Sequence, residues 1–487
     1  MGRVTRKTIA AVLAVLCVCA QILSGCKKEE VTIRVLTEME LTKTSIPNNQ
    51  FELLVEQFRE EHEDVTVVIE RLPKDTESRE VRLQQLRTEI MAGKGPDIFL
   101  LPTNTNEVMT LERDVFDLEP LFPDVNQAMY NGLFLDISEM YDADTELDKE
   151  GLLTVVMDAG VVGNARYTLP LNYDIPVIYL DIERLAEGGI DPSIYQQGII
   201  DLMDDIAGRG IDWLAAGMDD LQLGYHIFNY FPELIEYENQ EVLVTREELL
   251  EFLRSYCACK EVQGAVRAQE SKAFEDMIWR TFEEDRDRFW ALRENVQNGA
   301  AIGGMSDLIS NVLVSQNKDV DVEMLPLAAA DGSVIADVTF FGAIGAGCEN
   351  PELAYELLRP MLMEDAQWMN NKVDGFSFEI QVRAGWPVRA RGAGYQIYRN
   401  HYRYNHTGEI HGAEMGIKNV LKFANVYEED IEQLYEIDKA RFPIPLENSF
   451  GKSVMGLYYQ VYSDGSSSAE RIVDYYLKEL QWHVGEG

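Results

Sequence analysis

The chain has 487 residues, 46% of them hydrophobic, with 43 Lys and Arg against 84 Asp and Glu and a formal charge of −41. At roughly 100–200 residues per domain, this length suits two or three domains with sizeable cores, and the hydrophobic share excludes a disordered acidic chain. The charge argues against a nucleic-acid partner, which needs a basic face, and against adsorption of the folded surface to anionic lipid.

The N-terminus reads as an export signal. Arg3, Arg6 and Lys7 precede an apolar run from Ile9 to Leu23, too short for the roughly 20 residues that span a bilayer. Leu23-Ser24-Gly25-Cys26 resembles the lipobox of bacterial lipoproteins. The resemblance implies that 1–25 is removed, that the Cys26 thiol carries a diacylglyceryl group (with palmitate-type acyl chains), and that 26–30 is a short tether. The protein is then expected on the extracytoplasmic face of the cell membrane, held there by lipid alone. The alternative is an ordinary secretory signal with a chance cysteine. Beyond it, Cys257, Cys259 and Cys348 lack the spacing of a disulfide framework or a Cys-x-x-Cys site, so core packing is expected to supply stability.

Regular structure is expected to begin at once. Val31–Leu36 alternates like a strand, and Asn48 or Asn49 can cap a helix with Phe51, Leu54, Val55 and Phe58 on one face. Val65–Ile69 is a β-branched strand, Leu83, Leu86 and Ile90 mark a helix ended by Gly93, and Asp97–Leu101 is a short apolar strand. Strand–helix–strand–helix–strand at these spacings means a parallel sheet with crossover helices. Tyr167–Pro170 leads into a strand at Pro176–Leu180 and a helix near Ile182–Ala186. The middle is helical, with a Thr245/Glu248 capping box and a long charged helix over 274–296. Strands are expected at Gly299–Ile302 and Val338–Phe341, a helix after Asn350-Pro351, and a last helix capped by Ser467 with Glu470. The fold class is α/β, in two lobes.

Several motifs fail on inspection. Gly451-Lys452-Ser453 lacks the first Gly of a phosphate loop, since Leu446 stands there. Gly342, Gly345 and Gly347 run in the wrong order for a dinucleotide fingerprint and read as a turn. Asp142, Asp144 and Glu146 imitate a calcium loop, but Leu147 and Leu153 replace its Gly and Glu, so a solvated acidic loop is expected. His401, His406 and His411, five apart, would not share a helix face to hold zinc. No cofactor, metal or catalytic constellation is expected.

Phe58–Val67, Ile90–Phe99, Tyr167–Asp181, Asn298–Gly304, Leu325-Pro326, Asn350–Gln367 and Gly385–Arg389 together resemble, in order, the extracellular solute-binding proteins of bacterial ABC importers. The carbohydrate-binding group of that family is the nearest. The resemblance implies a periplasmic-binding-protein-like fold, two lobes hinged about a ligand cleft. It places the N-terminal lobe at 31–172 plus 328–392 and the C-terminal lobe at 173–325 plus 393–487. Crossings are expected near Asn172–Pro176, Glu323–Leu327 and residues 390–400.

The family pattern also implies the ligand contacts. Asn104 and Thr105 follow the third strand and suit sugar hydroxyls, with turn capping as their alternative role. Asp174 stands where the family has an acid past the Leu-Pro crossing, with Asn172 and Tyr173 beside it. Asp307 follows the Gly-Gly segment, where this chain lacks the Trp common in relatives. Phe340, Phe341 and Trp386 are the substitutes for stacking, each weighed against a core role. The expected function is capture of a neutral solute, an oligosaccharide, and delivery to ABC permease subunits by a monomer that catalyses nothing. A lipid-anchored glycan-degrading enzyme and a surface receptor without a permease are the rivals.

Overall fold

The structure, a computed structural model, describes residues 31–38, 50–73, 75–103, 119–212, 216, 218, 223, 227–267, 300–304, 322–363, 386–388, 437–444 and 469–485. In chain order the elements used below are β1 (Val31–Thr37), α1 (Gln50–Glu61), β2 (Val65–Arg71), α2 (Thr76–Met91), β3 (Ile98–Pro102) and α3 (Val125–Tyr130). They continue with β4 (Thr168–Asp174), β5 (Pro176–Asp181), α4 (Ile199–Gly208), α5 (Arg246–Arg267), β6 (Ala300–Gly304) and β7 (Val322–Pro326). The last are β8 (Ile335–Ile344), α6 (Pro351–Leu358), β9 (Trp386–Pro387), β10 (Lys439–Arg441) and α7 (Ala469–Gly485).

Local chemistry explains where elements start and stop. The Asp75 carboxylate accepts from the Ser78 N–H at 2.9 Å and caps α2, and Gly93 at φ +66° lets the chain leave it. Before α5, the Thr245 N–H donates to Glu248 at 2.7 Å and the Glu248 N–H to the Thr245 hydroxyl at 3.2 Å, the reciprocal bonds of a capping box. Pro351 sits in the first turn of α6, where a missing N–H costs nothing. In α7, Val473, Tyr476, Leu480 and Val484 repeat at helical spacing and bury one face.

The larger sheet has the strand order β9-β4-β8-β3-β1-β2, with β10 added alongside β8. β1 pairs in parallel with β2 and β3 through the crossovers α1 and α2, whereas β8 runs antiparallel to both β3 and β4. Position in the sheet decides burial. β3 and the ten-residue β8 are buried along their whole length, as central strands covered on both faces must be. The edge strand β2 begins with alternating buried and exposed residues. A smaller antiparallel sheet, β6-β5-β7, packs with α4, α5 and α7. Each sheet has its own hydrophobic core.

The chain passes between the cores at points the structure locates. β4 lies in the large sheet and β5, one residue later, in the small one. β7 leaves the small sheet and β8 enters the large one. At the third passage Phe442 belongs to the large core and Ile444 to the small. This corrects one expected boundary: Ile437, Ala440 and Phe442 pack in the first-lobe core, not in the second lobe expected to include 393–487. β10 was missed because three residues carry no periodic signal, and pairing with β8 alone holds it. The expected crossing at 390–400 and the helix over 274–296 lie outside the described residues. Among the described residues no helix is long and apolar enough to cross a membrane.

Candidate ligand-binding site at the hinge

Because β8 is antiparallel to both β3 and β4, the carboxyl ends of β1, β3 and β4 share one side of the large sheet. Ligands of open α/β sheets collect on that side, where loops diverge. Glu38 follows β1 there, and its carboxylate lies 2.5 Å from the Arg79 guanidinium, both side chains nearly inaccessible. Burial pushes the Glu38 carboxyl above its ordinary value, and Arg79 opposes the shift. Arg79 also donates to the carbonyls of Glu119 (2.8 Å) and Pro73 (3.3 Å), so it pins loops as well as a charge.

Thr103 closes β3. The β4–β8 register slips on either side of Phe340. On the other edge of β8, where Phe340 pairs with Pro102, Thr103 carries the pairing one residue past β3: its hydroxyl donates to the Val338 carbonyl at 2.6 Å and its N–H to the Thr339 carbonyl at 3.0 Å. Neither of these two carbonyls is left orphaned.

Beyond the bulge comes a row of charge. Asp174 of β4 stands opposite Asp337 of β8, and Asp337 opposite Arg441 of β10. Directly opposed residues share a face of a sheet. The Arg441 Nε lies 3.5 Å from the Asp337 carboxylate, with both side chains largely buried. Burial pushes the Asp337 carboxyl up, opposed by Arg441 and by Asn229. Asn229, itself 1% exposed, comes from the second lobe and donates to the Ile335 carbonyl at 3.1 Å. Lys439, two residues before Arg441, reaches the same lobe at the Pro232 carbonyl (3.1 Å) and Glu233 (3.2 Å). Each member of the row thus sits on a strand next to a passage between the cores.

A second cluster ties the lobes beside the hinge. Asp124, the N-cap of α3, accepts from the Gln127 N–H at 3.0 Å, from the Tyr237 hydroxyl at 2.7 Å, and bonds His483 of α7 at 2.6 Å. Tyr237 stacks on Tyr130 with ring centroids 5.6 Å apart. Burial, reinforced by Asp124, raises the affinity of the Tyr237 phenol for its proton.

The residues expected at the site divide three ways. Asp174 is buried at the hinge, and its carboxylate accepts from the Ile175 N–H at 2.9 Å; Tyr173 is buried beside it and Asn172 half-buried. Trp386 enters the sheet as the backbone partner of Tyr173. The structure corrects one role: Phe341, 1% exposed, packs edge-on against Phe134 and Phe442 in the core, where no ligand can stack on it. Phe340 is likewise buried in that core. Asn104, Thr105, Asp307 and Cys26 lie outside the described residues. Sequence reasoning missed Glu38, Arg79, Thr103, Asn229, Asp337 and Arg441. One signal existed for Asp337, an acid inside an otherwise uncharged strand from Ile335 to Ile344.

The rejected motifs also resolve. Gly345 and Gly347 lie in the expected turn, closed by the Cys348 N–H on the Gly345 carbonyl at 3.0 Å, and both are also sites of close approach, since a Cβ would meet the Pro96 carbonyl at 2.5 Å or the Gly93 carbonyl at 2.6 Å. Asp144 is buried rather than solvated, held by the N–H groups of Glu146 and Leu147 and by Arg359. His401, His406, His411 and Gly451–Ser453 lie outside the described residues.

No family model matches the sequence, and no curated protein matches it. Solved structures do. An extracellular solute-binding protein of family 1 from Alicyclobacillus acidocaldarius matches with TM-score 0.53 and 13% identity, over 94% of this chain and 99% of the other. A periplasmic oligogalacturonide-binding protein from Yersinia enterocolitica matches with TM-score 0.53 and 14% identity, over 94% and 99%. The galacto-N-biose/lacto-N-biose I-binding protein of an ABC transporter from Bifidobacterium longum, solved with lacto-N-biose, matches with TM-score 0.54 and 12% identity, over 94% and 99%. A designed cysteine esterase matches equally well, with TM-score 0.56 and 14% identity over 94% and 98%, so the fold by itself assigns no activity. The chain has the two-lobed α/β fold of the extracellular solute-binding proteins, with a cleft between the lobes and a hinge behind it.

Proposed function

We propose that this protein is a lipid-anchored solute receptor that captures a neutral carbohydrate between its lobes and presents it to an ABC permease. The observation that carries the reading is the hinge itself: buried polar side chains from both lobes converge where the chain passes between two cores. Ligand contacts to both lobes stabilise the closed arrangement over the open one, and closure is the signal that a permease can recognise. Two of the similar structures are sugar-binding proteins by name, which supports the carbohydrate class. Asp174, Asn172 and Tyr173 are the proposed contacts among the described residues, with Asn104, Thr105, Asp307 and Trp386 as further candidates. The chain acts as a monomer whose only membrane contact is the acyl group on Cys26.

A thermal-shift screen against neutral oligosaccharides tests this. A ligand at 100 times its dissociation constant adds about 2.7 kcal/mol of stability. One sugar class is expected to raise the melting temperature, and Asp174→Ala to weaken its binding tenfold or more with the unliganded melting temperature nearly kept. Silence across the screen, or release of shorter sugars during incubation, would overturn the receptor reading. Loss of radiolabelled palmitate in Cys26→Ser tests the anchor separately; label retained by the variant would remove it.

A further inference from the structure

Across β4, β8 and β10, three adjacent strands place Asp174, Asp337 and Arg441 side by side, and Asn229 leans onto the row from the other lobe. Of the two carboxylates, Asp337 faces the Arg441 guanidinium, in a space nearly closed to solvent, and Asp174 stands one strand further off. Buried polar atoms are normally bonded, because an unpaired one forfeits its hydration. Here three lack a hydrogen-bond partner: Oδ1 of Asp337, Oδ1 of Asn229 and an Nη of Arg441. The Arg441 Nε stands at 3.5 Å from Asp337, an ion-pair distance outside hydrogen-bonding range for that geometry. Two of the unmatched atoms are acceptors and one is a donor. A water molecule offers two donors and an acceptor together, a ligand hydroxyl one donor with an acceptor, and an ammonium group donors for the two acceptors, whereas an incoming carboxylate offers only acceptors and a like charge.

We propose that Asp337, Asn229 and Arg441 form a polar seat at the back of the cleft that receives a hydrogen-bond-donating group of the ligand and rejects anionic sugars. The proposal rests on the carbohydrate reading and narrows it to neutral or aminated sugars. In the unliganded protein the seat holds one ordered water, which the sugar's hydroxyl or amine displaces on closure. Asp337 is then a specificity-determining residue, and the charge balance of the row, two acids against one base, is what sets the preference.

The test has two arms. In the first, the melting temperature and calorimetric affinity of the full protein are measured with α-1,4- and β-1,4-linked trimers of glucose, glucosamine and glucuronic acid. At least one neutral or amino trimer is expected to bind at least tenfold tighter than its uronate counterpart. Asp337→Asn, which keeps shape and removes the charge, is expected to narrow that discrimination at least tenfold. Asn229→Asp, which adds an acceptor and a charge from the opposite lobe, is expected to widen it, and it serves if Asp337→Asn folds poorly. Uronates binding as well as neutral trimers would overturn the seat while leaving the receptor reading standing. In the second arm, a crystal structure without sugar is expected to show an ordered water bonded to Asp337, Asn229 and Arg441. Direct pairing of the three groups with no water overturns the seat whatever binds. A water present with no trimer bound overturns the carbohydrate reading and keeps the seat as a binding site for a donor group.

Discussion

Asp144 shows how one carboxylate can be both buried and ionised. Its side chain is 3% exposed, which alone would raise its affinity for a proton. The N–H groups of Glu146 (2.9 Å) and Leu147 (3.1 Å) and the Arg359 guanidinium (3.0 Å) more than compensate, and its carboxyl sits below the ordinary value of 3.8. A folded-state value below the unfolded one means that the stabilisation is complete above 3.8 and is lost as pH falls through it. Asp144→Asn is expected to cost about 1–3 kcal/mol at neutral pH, by urea unfolding, because bonds to a charged acceptor are weakened and Arg359 keeps only Glu146 as an ionic partner. The gap between variant and parent should close as the pH drops below 3.8. A gap of constant size across the titration would show that the carboxylate charge plays no part.

At the scale of elements, β8 is the strand on which the architecture turns. It pairs with β4 on one edge and with β3 and β10 on the other, and between β3 and β10 the Thr103 hydroxyl bonds the Val338 carbonyl. Removing a buried donor while its acceptor stays costs about 1–3 kcal/mol. Thr103→Val, nearly isosteric, is therefore expected to lose about 1–2 kcal/mol, and Thr103→Ser to recover much of it because the hydroxyl remains. Equal urea midpoints for parent and valine variant would mean that water takes over the Val338 carbonyl. The periodic helices and β-branched strands of this lobe were legible in the sequence. The strand continuation to Ile335, the bulge and β10 were not, because they depend on which neighbour each strand meets.

For the molecule as a whole, the relation between the lobes depends on a few polar ties. Asp124 holds three donors on behalf of two lobes, and Tyr237 contributes one of them from the second. Tyr237→Phe keeps the stacking on Tyr130 and deletes only that bond. A loss of about 1 kcal/mol is expected, with faster amide exchange in the first turn of α3 and the last turn of α7. Exchange in β1 and β3 should stay as in the parent, since these strands belong to the first core alone. Uniformly faster exchange would mean that the bond stabilises global folding rather than the junction of the lobes.

What the sequence determined by itself was set by short-range chemistry. The apolar periods, the Thr245/Glu248 capping box, Pro351 at a helix start and the break at Gly93 state which segments are helices and strands and where they stop. The order of those segments carried the two-lobed α/β fold. Only the tertiary structure decided that Asp337 and Arg441, 104 positions apart like Val334 and Asp438, meet in one row with Asp174 and that Asn229 from the other lobe covers them. A charge in a sequence has no address until strands pair, and burial, which gives these charges their consequence, is a property of the packed assembly alone.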